Sequence, residues 1–335
     1  MQLSEIYEPI QQDLTRAEDM MISVSKANLS WLPEQLANNL RSSGKLTELL
    51  GHSLKSGGKM LRPALTLLSG KFYNYNLDCL LPMATAIEIL HTATLVHDDT
   101  IDKSSVRRGR PTINEVWDDD TAILLGDYLI AQSEELTVAT QNPQVIRLLS
   151  RTLMTIASGE LAQSFSAFNL EQTHQQYLHR IISKTATLIS LATESGVILS
   201  GAPEKSVKVL KEYGYNLGIA FQIVDDIMDF IGTEEEMGKP IGSDLAQGTL
   251  TLPAMLLLEH YPENNPIKEI FQNRDKQKNI KLAIELVRSS SIVQECYAVA
   301  SEYCAKACHN LNLLPDTTSR QSLINLADYV VEQGR

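Results

Sequence analysis

Nearly every long stretch of this chain repeats apolar residues at intervals of three and four. "LPMATAIEILHTATLVHDD", "TAILLGDYLIAQSEELTVA", "VIRLLSRTLMTIASGELAQSFSAF" and "YLHRIISKTATLISLATESGVILSG" all carry that spacing, the period of a helix with a face against a core. Short alternating runs occur, but none is bounded like a strand hairpin. Punctuation is sparse: "NYN" at 74–76, "QNP" at 141–143, "SGAPE" at 200–204, "HYPENNP" at 260–266 and "NRDKQKN" at 273–279. These breaks cut the chain into about a dozen helices. No linker rich in Gly, Ser or Pro divides it. The expectation is one all-α bundle over 1–335, with core helices apolar on several faces and therefore inside.

The chain has 335 residues, 43% of them hydrophobic and 6% aromatic, so a large core must rest mainly on aliphatic side chains. A net charge of −12 argues against general nucleic-acid binding, which needs a basic face. Cys79, Cys296, Cys304 and Cys308 show no CxxC spacing. Cys304, Cys308 and His309 are read as helix residues, the cysteines buried, rather than a zinc site. No disulfide framework is expected, which suits a reducing cytoplasm. The start, "MQLSEIYEPIQQDL", is acidic and lacks the basic region of a signal peptide. The best apolar run, 80–97, is broken by Glu88, His91 and His97, so no membrane span is expected and the protein should be soluble.

The chemistry begins with carboxylates. "DDTID" at 98–102 returns as "DDIMD" at 225–229, each after an apolar helical run. On a helix, Asp98 and Asp102 project from one face, one turn apart, as do Asp225 and Asp229. Like charges at this spacing cost a few tenths of a kcal/mol, and more in a dry cleft. A bridging cation removes that cost. Hard oxygen ligands in pairs point to Mg²⁺, which takes one or two carboxylates and completes its shell with water and phosphate oxygens. The repeat suggests two helices facing each other across a cleft. Asp118, Asp119 and Asp120 differ: they precede a helix opening at Thr121, where negative charge suits the exposed N–H groups.

Basic clusters accompany the aspartates. "SGGKMLRP" supplies Lys59 and Arg62, "VRRGRP" Arg107 and Arg108, "SKTAT" Lys184 and Thr185, and "MGKPIGSD" Lys239. The glycines permit close backbone approach to an anion. Adjacent arginines diverge and can serve two phosphates. About three Mg²⁺ ions and these six cations would balance the six motif aspartates and two diphosphates in one low-dielectric cavity.

At these residues the sequence closely resembles the trans-isoprenyl diphosphate synthases, the polyprenyl synthetase family. The likeness covers about residues 50–260 and is carried by "GGKMLRP", "HTATLVHDDTIDKSSVRRGRPT", "GELAQ", "SKTATL" and "FQIVDDIMDFIGTEEEMGKPIGSDLAQGTLTLP". It implies an all-α bundle with a deep central cavity, usually a homodimer. It implies Mg²⁺ on Asp98, Asp102, Asp225 and Asp229, with Asp99 and Asp226 in support. Lys59, Arg62, His91 and Arg108 would bind isopentenyl diphosphate. Arg107, Lys184, Thr185, Gln222 and Lys239 would hold an allylic diphosphate such as farnesyl or geranylgeranyl diphosphate. His91 lies two turns before Asp98 on nearly the same face; His97 is assigned to the core. The sequence departs from short-chain members at Thr249, where they often carry lysine.

The implied reaction is ionisation of the allylic diphosphate, attack by the isopentenyl double bond and loss of a proton. Chain length is expected to depend on the helix below the first motif. Short-chain relatives often place a bulky aromatic four or five residues before the first aspartate, where this chain has Ala93 and Thr94. The stripe continues to Ile89 and Ala86, so the wall is read as open, and Leu80 to Asp98 spans roughly 27 Å of helix. A product of six or more isoprene units is expected, as in a respiratory-quinone side chain. Such a product implies peripheral membrane contact during release. The alternatives are a farnesyl or geranylgeranyl diphosphate synthase, the catalytic subunit of a heteromeric synthase, and a terpene cyclase. A cyclase has no use for the second diphosphate site that "GGKMLRP" and His91 imply.

Overall fold

The computed structural model describes residues 2–54, 58–233 and 240–332. Its helices are α1 (Leu3–Ile6), α2 (Gln11–Val24), α3 (Glu34–Ser43), α4 (Lys45–Leu54), α5 (Leu61–Gly70), α6 (Leu77–Ile101), α7 (Ile113–Val116), α8 (Asp119–Ala139), α9 (Pro143–Ser166), α10 (His174–Ile181), α11 (Thr187–Leu199) and α12 (Glu204–Ile231). The chain continues through α13 (Ser243–Ala246), α14 (Leu252–His260), α15 (Pro266–Phe271), α16 (Lys276–Ser289), α17 (Ile292–Cys308) and α18 (Thr318–Glu332). A π-helical turn, Ile182–Ala186, joins α10 to α11.

The all-α expectation holds, with one local exception. A two-residue hairpin pairs Val106–Arg107 with Arg110–Pro111. Arg108 and Gly109 form its turn at φ +50° and +72°, the geometry whose twist suits a tight hairpin and favours glycine at its second position. Strands this short show no alternation, so the sequence pattern passed over them.

Two compact units divide the chain: Gln2–Leu149 with Ala192–Pro203, and Ser150–Leu191 with Glu204–Arg335. Two boundaries fall within α9 and α11 and the third at the start of α12. In the amino-terminal unit α6 is the central helix, packed against α8, α5 and α2. Asn76 caps its start by accepting from the Asp78 N–H at 3.0 Å. Every residue from Met83 to Leu90 is buried, and each large aliphatic side chain among them contributes roughly 1.5–3 kcal/mol. The polar breaks at Glu88, His91 and His97 do not shorten α6, which by length and composition could cross a membrane. Its burial within the unit makes it a core helix. His97 is not in the core: it is half-buried at the α6–α8 seam, with Nε2 3.0 Å from the Ile123 carbonyl oxygen and 3.6 Å from Asp127. Asp118 caps α8 through a 2.6 Å bond from the Thr121 N–H, so the capping role holds while the helix opens at Asp119.

In the carboxy-terminal unit α12 packs along α17, with α18, α14 and α16 beside it. Tyr213, fully buried, donates to the Leu323 carbonyl at 2.7 Å. Arg288 from α16 caps the end of α12, bonding the carbonyls of Phe230 at 2.8 Å and Gly232 at 3.2 Å. Cys296 and Cys304 are buried and Cys308 is half-buried; burial pushes the Cys304 thiol up to about 12.

Close approach decides one small residue in the amino-terminal unit. A Cβ at Gly196 of α11 would stand 2.2 Å from the Thr66 carbonyl oxygen of α5. Backbone cannot rotate away as a side chain can. Gly196→Ala is expected to lower unfolding free energy by about 1–3 kcal/mol, read from urea denaturation. A loss below about 0.5 kcal/mol would show that the helices separate freely there.

Candidate active site

The first aspartate motif occupies the carboxyl end of α6. Asp102 is the C-cap residue, its N–H bonded to the Asp98 carbonyl at 2.8 Å. The last turn carries no basic residue, although this end of a helix dipole disfavours negative charge. Asp98 is half-buried and Asp102 exposed, so both carboxylates have open surface. Asp99 faces inward and is 5% exposed. Arg107, held by the hairpin, donates Nε to both its oxygens at 2.8 and 2.9 Å. Burial raises the Asp99 pKa, Arg107 opposes the shift, and Asp98 and Asp102 add to it. Asp99 is thus bound by Arg107, which is engaged with the motif itself.

The cations expected for isopentenyl diphosphate assemble in the same unit. Tyr7, from the amino-terminal segment, donates its hydroxyl to the Lys59 carbonyl at 3.1 Å beside Met60, which opens α5 at φ +47°. The Arg108 guanidinium lies against Gly58. Arg62, half-buried, begins α5. His91 is held well below the usual imidazole range by burial first, then by Arg62, Arg108 and Arg107. At neutral pH it is a neutral donor among cations, suited to an anionic oxygen.

The second motif lies in the carboxy-terminal unit on α12. Lys184 and Thr185 sit in the π-helical turn, an irregularity common at functional sites. Two glycines accommodate it: a Cβ at Gly218 would meet the Ala186 Cα at 2.5 Å, and one at Gly159 would meet the Ser183 Cβ at 2.4 Å. Lys184 pairs with Glu160 at 3.0 Å. Thr185 donates to Gln222 Oε1 at 2.5 Å. Gln222 in turn donates Nε2 to Asp226 at 2.9 Å, with Asp225 at 3.5 Å. Tyr177 from α10 donates to the other Asp226 oxygen at 2.8 Å. Burial, then nearby Asp244, raises the Asp226 pKa to about 7, with Gln222, Tyr177 and Arg180 opposing. Thr185, Gln222 and Asp226 therefore form one network. Tyr177 is its unforeseen member; it lies 49 residues from Asp226 and no local pattern marks it. Glu160, within "GELAQ", is the unforeseen partner of Lys184. Lys239 lies outside the described residues.

Asp225 is exposed on α12, whereas Asp229 has no accessible surface. The Ser243 hydroxyl bonds one Asp229 oxygen at 3.0 Å and the Asp244 N–H the other at 3.3 Å. The two carboxylates expected to share a metal thus differ in exposure: Ser243 and the Asp244 N–H bond the buried Asp229, while Asp225, one turn earlier, is exposed. Among the described residues no three His, Cys, Asp or Glu groups converge on one point. The accessible, hard carboxylate oxygens of Asp98 and Asp102 fit a cation such as Mg²⁺, which retains waters and substrate oxygens; Asp225 offers the same donor type within its own unit.

The expected chain-length wall also divides. Ala86, Ile89 and Ala93 are fully buried, whereas Thr94 keeps accessible surface and bonds the His91 carbonyl at 2.8 Å. At one end of α6, His97 reaches α8 at Ile123; at the other, Thr137 of α8 donates to Met83 Sδ at 3.9 Å. Helical periodicity puts Ala86, Leu90 and Ala93 on that same α8-facing stripe. Ala86 and Ala93 are small where two helices pack closely; they line no open space.

Asp226 has a measurable consequence. Between its ordinary value of 3.8 and about 7, the folded protein holds a proton that the unfolded chain has lost. Its contribution to stability therefore falls as pH rises through that window. Urea unfolding of metal-free protein from about pH 4 to about pH 8 should show a shallower decline for Asp226→Asn than for the parent chain; equal slopes would contradict the shift.

Known proteins supply an independent comparison. The family model described as polyprenyl synthetase matches residues 43–287. The chain is 38% identical over 312 residues to heptaprenyl diphosphate synthase component 2 of Bacillus subtilis, covering 93% of this chain and 89% of that protein. It superimposes on a decaprenyl diphosphate synthase of Rhodobacter capsulatus with a TM-score of 0.88 at 36% identity, covering 100% of both chains. A polyprenyl synthase of Caulobacter crescentus complexed with calcium and isoprenyl diphosphate gives a TM-score of 0.90 at 29% identity, covering 100% of this chain and 98% of that one. The match extends well over half the chain and includes both aspartate motifs, so this protein belongs to the polyprenyl synthetase family and is a prenyltransferase with the all-α isoprenoid synthase fold.

Proposed function

We propose that this chain is a Mg²⁺-dependent all-trans polyprenyl diphosphate synthase that joins isopentenyl diphosphate to an allylic diphosphate and makes products of six or more isoprene units. The observation that carries the reading is the pair of aspartate motifs at the carboxyl ends of long helices, with the inward aspartate of each held in place, Asp99 by Arg107 and Asp226 by Tyr177 and Gln222. Asp98, Asp102 and Asp225 would hold the metal, about three ions by charge balance, and Mg²⁺ bound there supplies positive charge for the leaving diphosphate. Asp99 and Asp226 position the motifs through Arg107 and through Tyr177 and Gln222. Lys184, Thr185, Arg107 and Lys239 serve the allylic diphosphate. Lys59, Arg62, Arg108 and neutral His91 serve isopentenyl diphosphate. The allylic C–O bond ionises, the isopentenyl double bond attacks the resulting cation, and the released diphosphate accepts the proton. Apolar surroundings exclude water that would quench the cation.

The whole chain, 1–335, acts as one catalytic domain of the cytoplasm, and quinone side-chain synthesis is the use that a long product fits. The names of the Bacillus and Rhodobacter relatives support that length. Purified protein given farnesyl diphosphate, isopentenyl diphosphate and Mg²⁺ should yield prenyl alcohols of six or more units after dephosphorylation. Products that stop at geranylgeranyl would overturn the long-chain reading. Met154, Leu161 and Phe165 are 62%, 61% and 86% exposed on one face of α9, an apolar stripe suited to a homodimer. The component naming of the Bacillus relative favours a second reading, the catalytic subunit of a heteromeric synthase. Activity of the chain expressed alone distinguishes them.

The division of the α6 wall gives a further expectation. Thr94→Tyr should shorten the product by one or more units with folding intact. Ala93→Tyr should mainly destabilise, by about 1–3 kcal/mol, because it overfills the α6–α8 seam. Product chromatography and thermal melts separate the two; a shorter product from Ala93→Tyr alone would return Ala93 to the wall.

A further inference from the structure

One buried acid in the amino-terminal unit has no part in the scheme above. Glu88 lies one turn before His91 on α6 and is 8% exposed. Its Oε2 is buried and accepts no hydrogen bond; on α5 the buried Nε of Arg62 donates none. Burial raises the Glu88 pKa and lowers that of Arg62, and the charge of each opposes the other's shift. Arg108 is the third member: it repels Arg62 and favours Glu88, and a Cβ at neighbouring Gly58 would lie 3.1 Å from its NH1.

A carboxylate buried without a hydrogen bond is costly unless opposite charge surrounds it. Here the charges of Arg62 and Arg108 oppose that cost. An arginine has two usable edges. The terminal nitrogens match the oxygens of a diphosphate, and the Nε edge is then left over. An unused acceptor on Glu88 and an unused Nε donor on Arg62 are complementary across that leftover edge.

We propose that Glu88 is a positioning residue for isopentenyl diphosphate. Its carboxylate takes the Nε edge of Arg62, directly or through one water, and so aims the terminal nitrogens at the diphosphate. It also offsets repulsion between Arg62 and Arg108 beside neutral His91. This inference rests on the reading of Arg62, Arg108 and His91 as the isopentenyl diphosphate site. A negative charge near an anionic substrate also repels it, so the sign of the effect on substrate binding decides whether orientation dominates.

The test is steady-state kinetics of Glu88→Gln, which removes the charge and keeps the shape, alongside Arg62→Ala and the double variant. Glu88→Gln should raise KM for isopentenyl diphosphate roughly tenfold while kcat and KM for the allylic diphosphate stay within about twofold. The double variant should show no rise beyond Arg62→Ala, because Glu88 acts through Arg62. An unchanged or lowered KM for isopentenyl diphosphate in Glu88→Gln overturns the proposal. So does a parallel change for both substrates with a lowered melting temperature, which marks a purely structural acid, or additivity in the double variant. Arg62→Ala with unchanged KM for isopentenyl diphosphate would sink the site assignment as well; a raised KM there with a silent Glu88→Gln would sink this inference alone.

Discussion

Negative charge gathered at the carboxyl ends of buried helices is the constraint on which the rest of this structure depends. Asp98, Asp99 and Asp102 close α6, and Asp225, Asp226 and Asp229 lie in the last two turns of α12. Neither helix has a basic residue in its last turn, and a helix dipole makes those ends the wrong place for acids by about 0.3–1 kcal/mol each. Each unit manages its own cluster. In one, the hairpin brings Arg107 back onto Asp99. In the other, Arg288 caps the α12 carbonyls while Tyr177 and Gln222 bond Asp226. Asp98, Asp102 and Asp225 keep accessible surface, and hard carboxylate oxygens of that kind suit a hard cation.

The inward aspartates are the physical hinge between stability and function. Asp99 and Asp226 are both buried and both shifted upward by desolvation. A buried carboxylate is tolerated only where donors meet it, and the donors it selects then hold neighbouring elements in place. Arg107 ties the hairpin to α6. Gln222, through Thr185, ties α12 to the π-helical turn that also carries Lys184. The close contacts at Gly159 and Gly218 let that turn sit where a regular helix surface would not. Positioning of Arg107, Lys184 and Thr185 thus follows from satisfying buried charge.

Much of this was legible in residue order. Helical period identified the all-α fold because it survives in every core helix. The aspartate repeat was legible because spacing of four on a helix is a geometric statement. The cap at Asp118 was legible because capping is local chemistry. The hairpin was not: two residues per strand offer no alternation, and only the left-handed turn at Arg108 and Gly109 makes it. Ala86 and Ala93, both buried, are ambiguous in sequence for a related reason. A small residue on an apolar helix marks either an open wall or a close neighbour, and sequence spacing does not distinguish them. His97 went the same way, since its ring reaches the surface of α8 rather than the core.

The sequence by itself determined the helices, the paired spacing of carboxylates in both motifs and the set of basic side chains, because each depends on residues within a turn or two of one another. Tertiary structure alone decided which aspartates are buried: Asp229 is bonded by Ser243 and Asp244, which lie beyond the end of its helix. It alone paired Tyr177 with Asp226, Lys184 with Glu160 and Arg107 with Asp99. Those contacts join residues that only packing brings together, and it is packing that sets how much water each charge keeps.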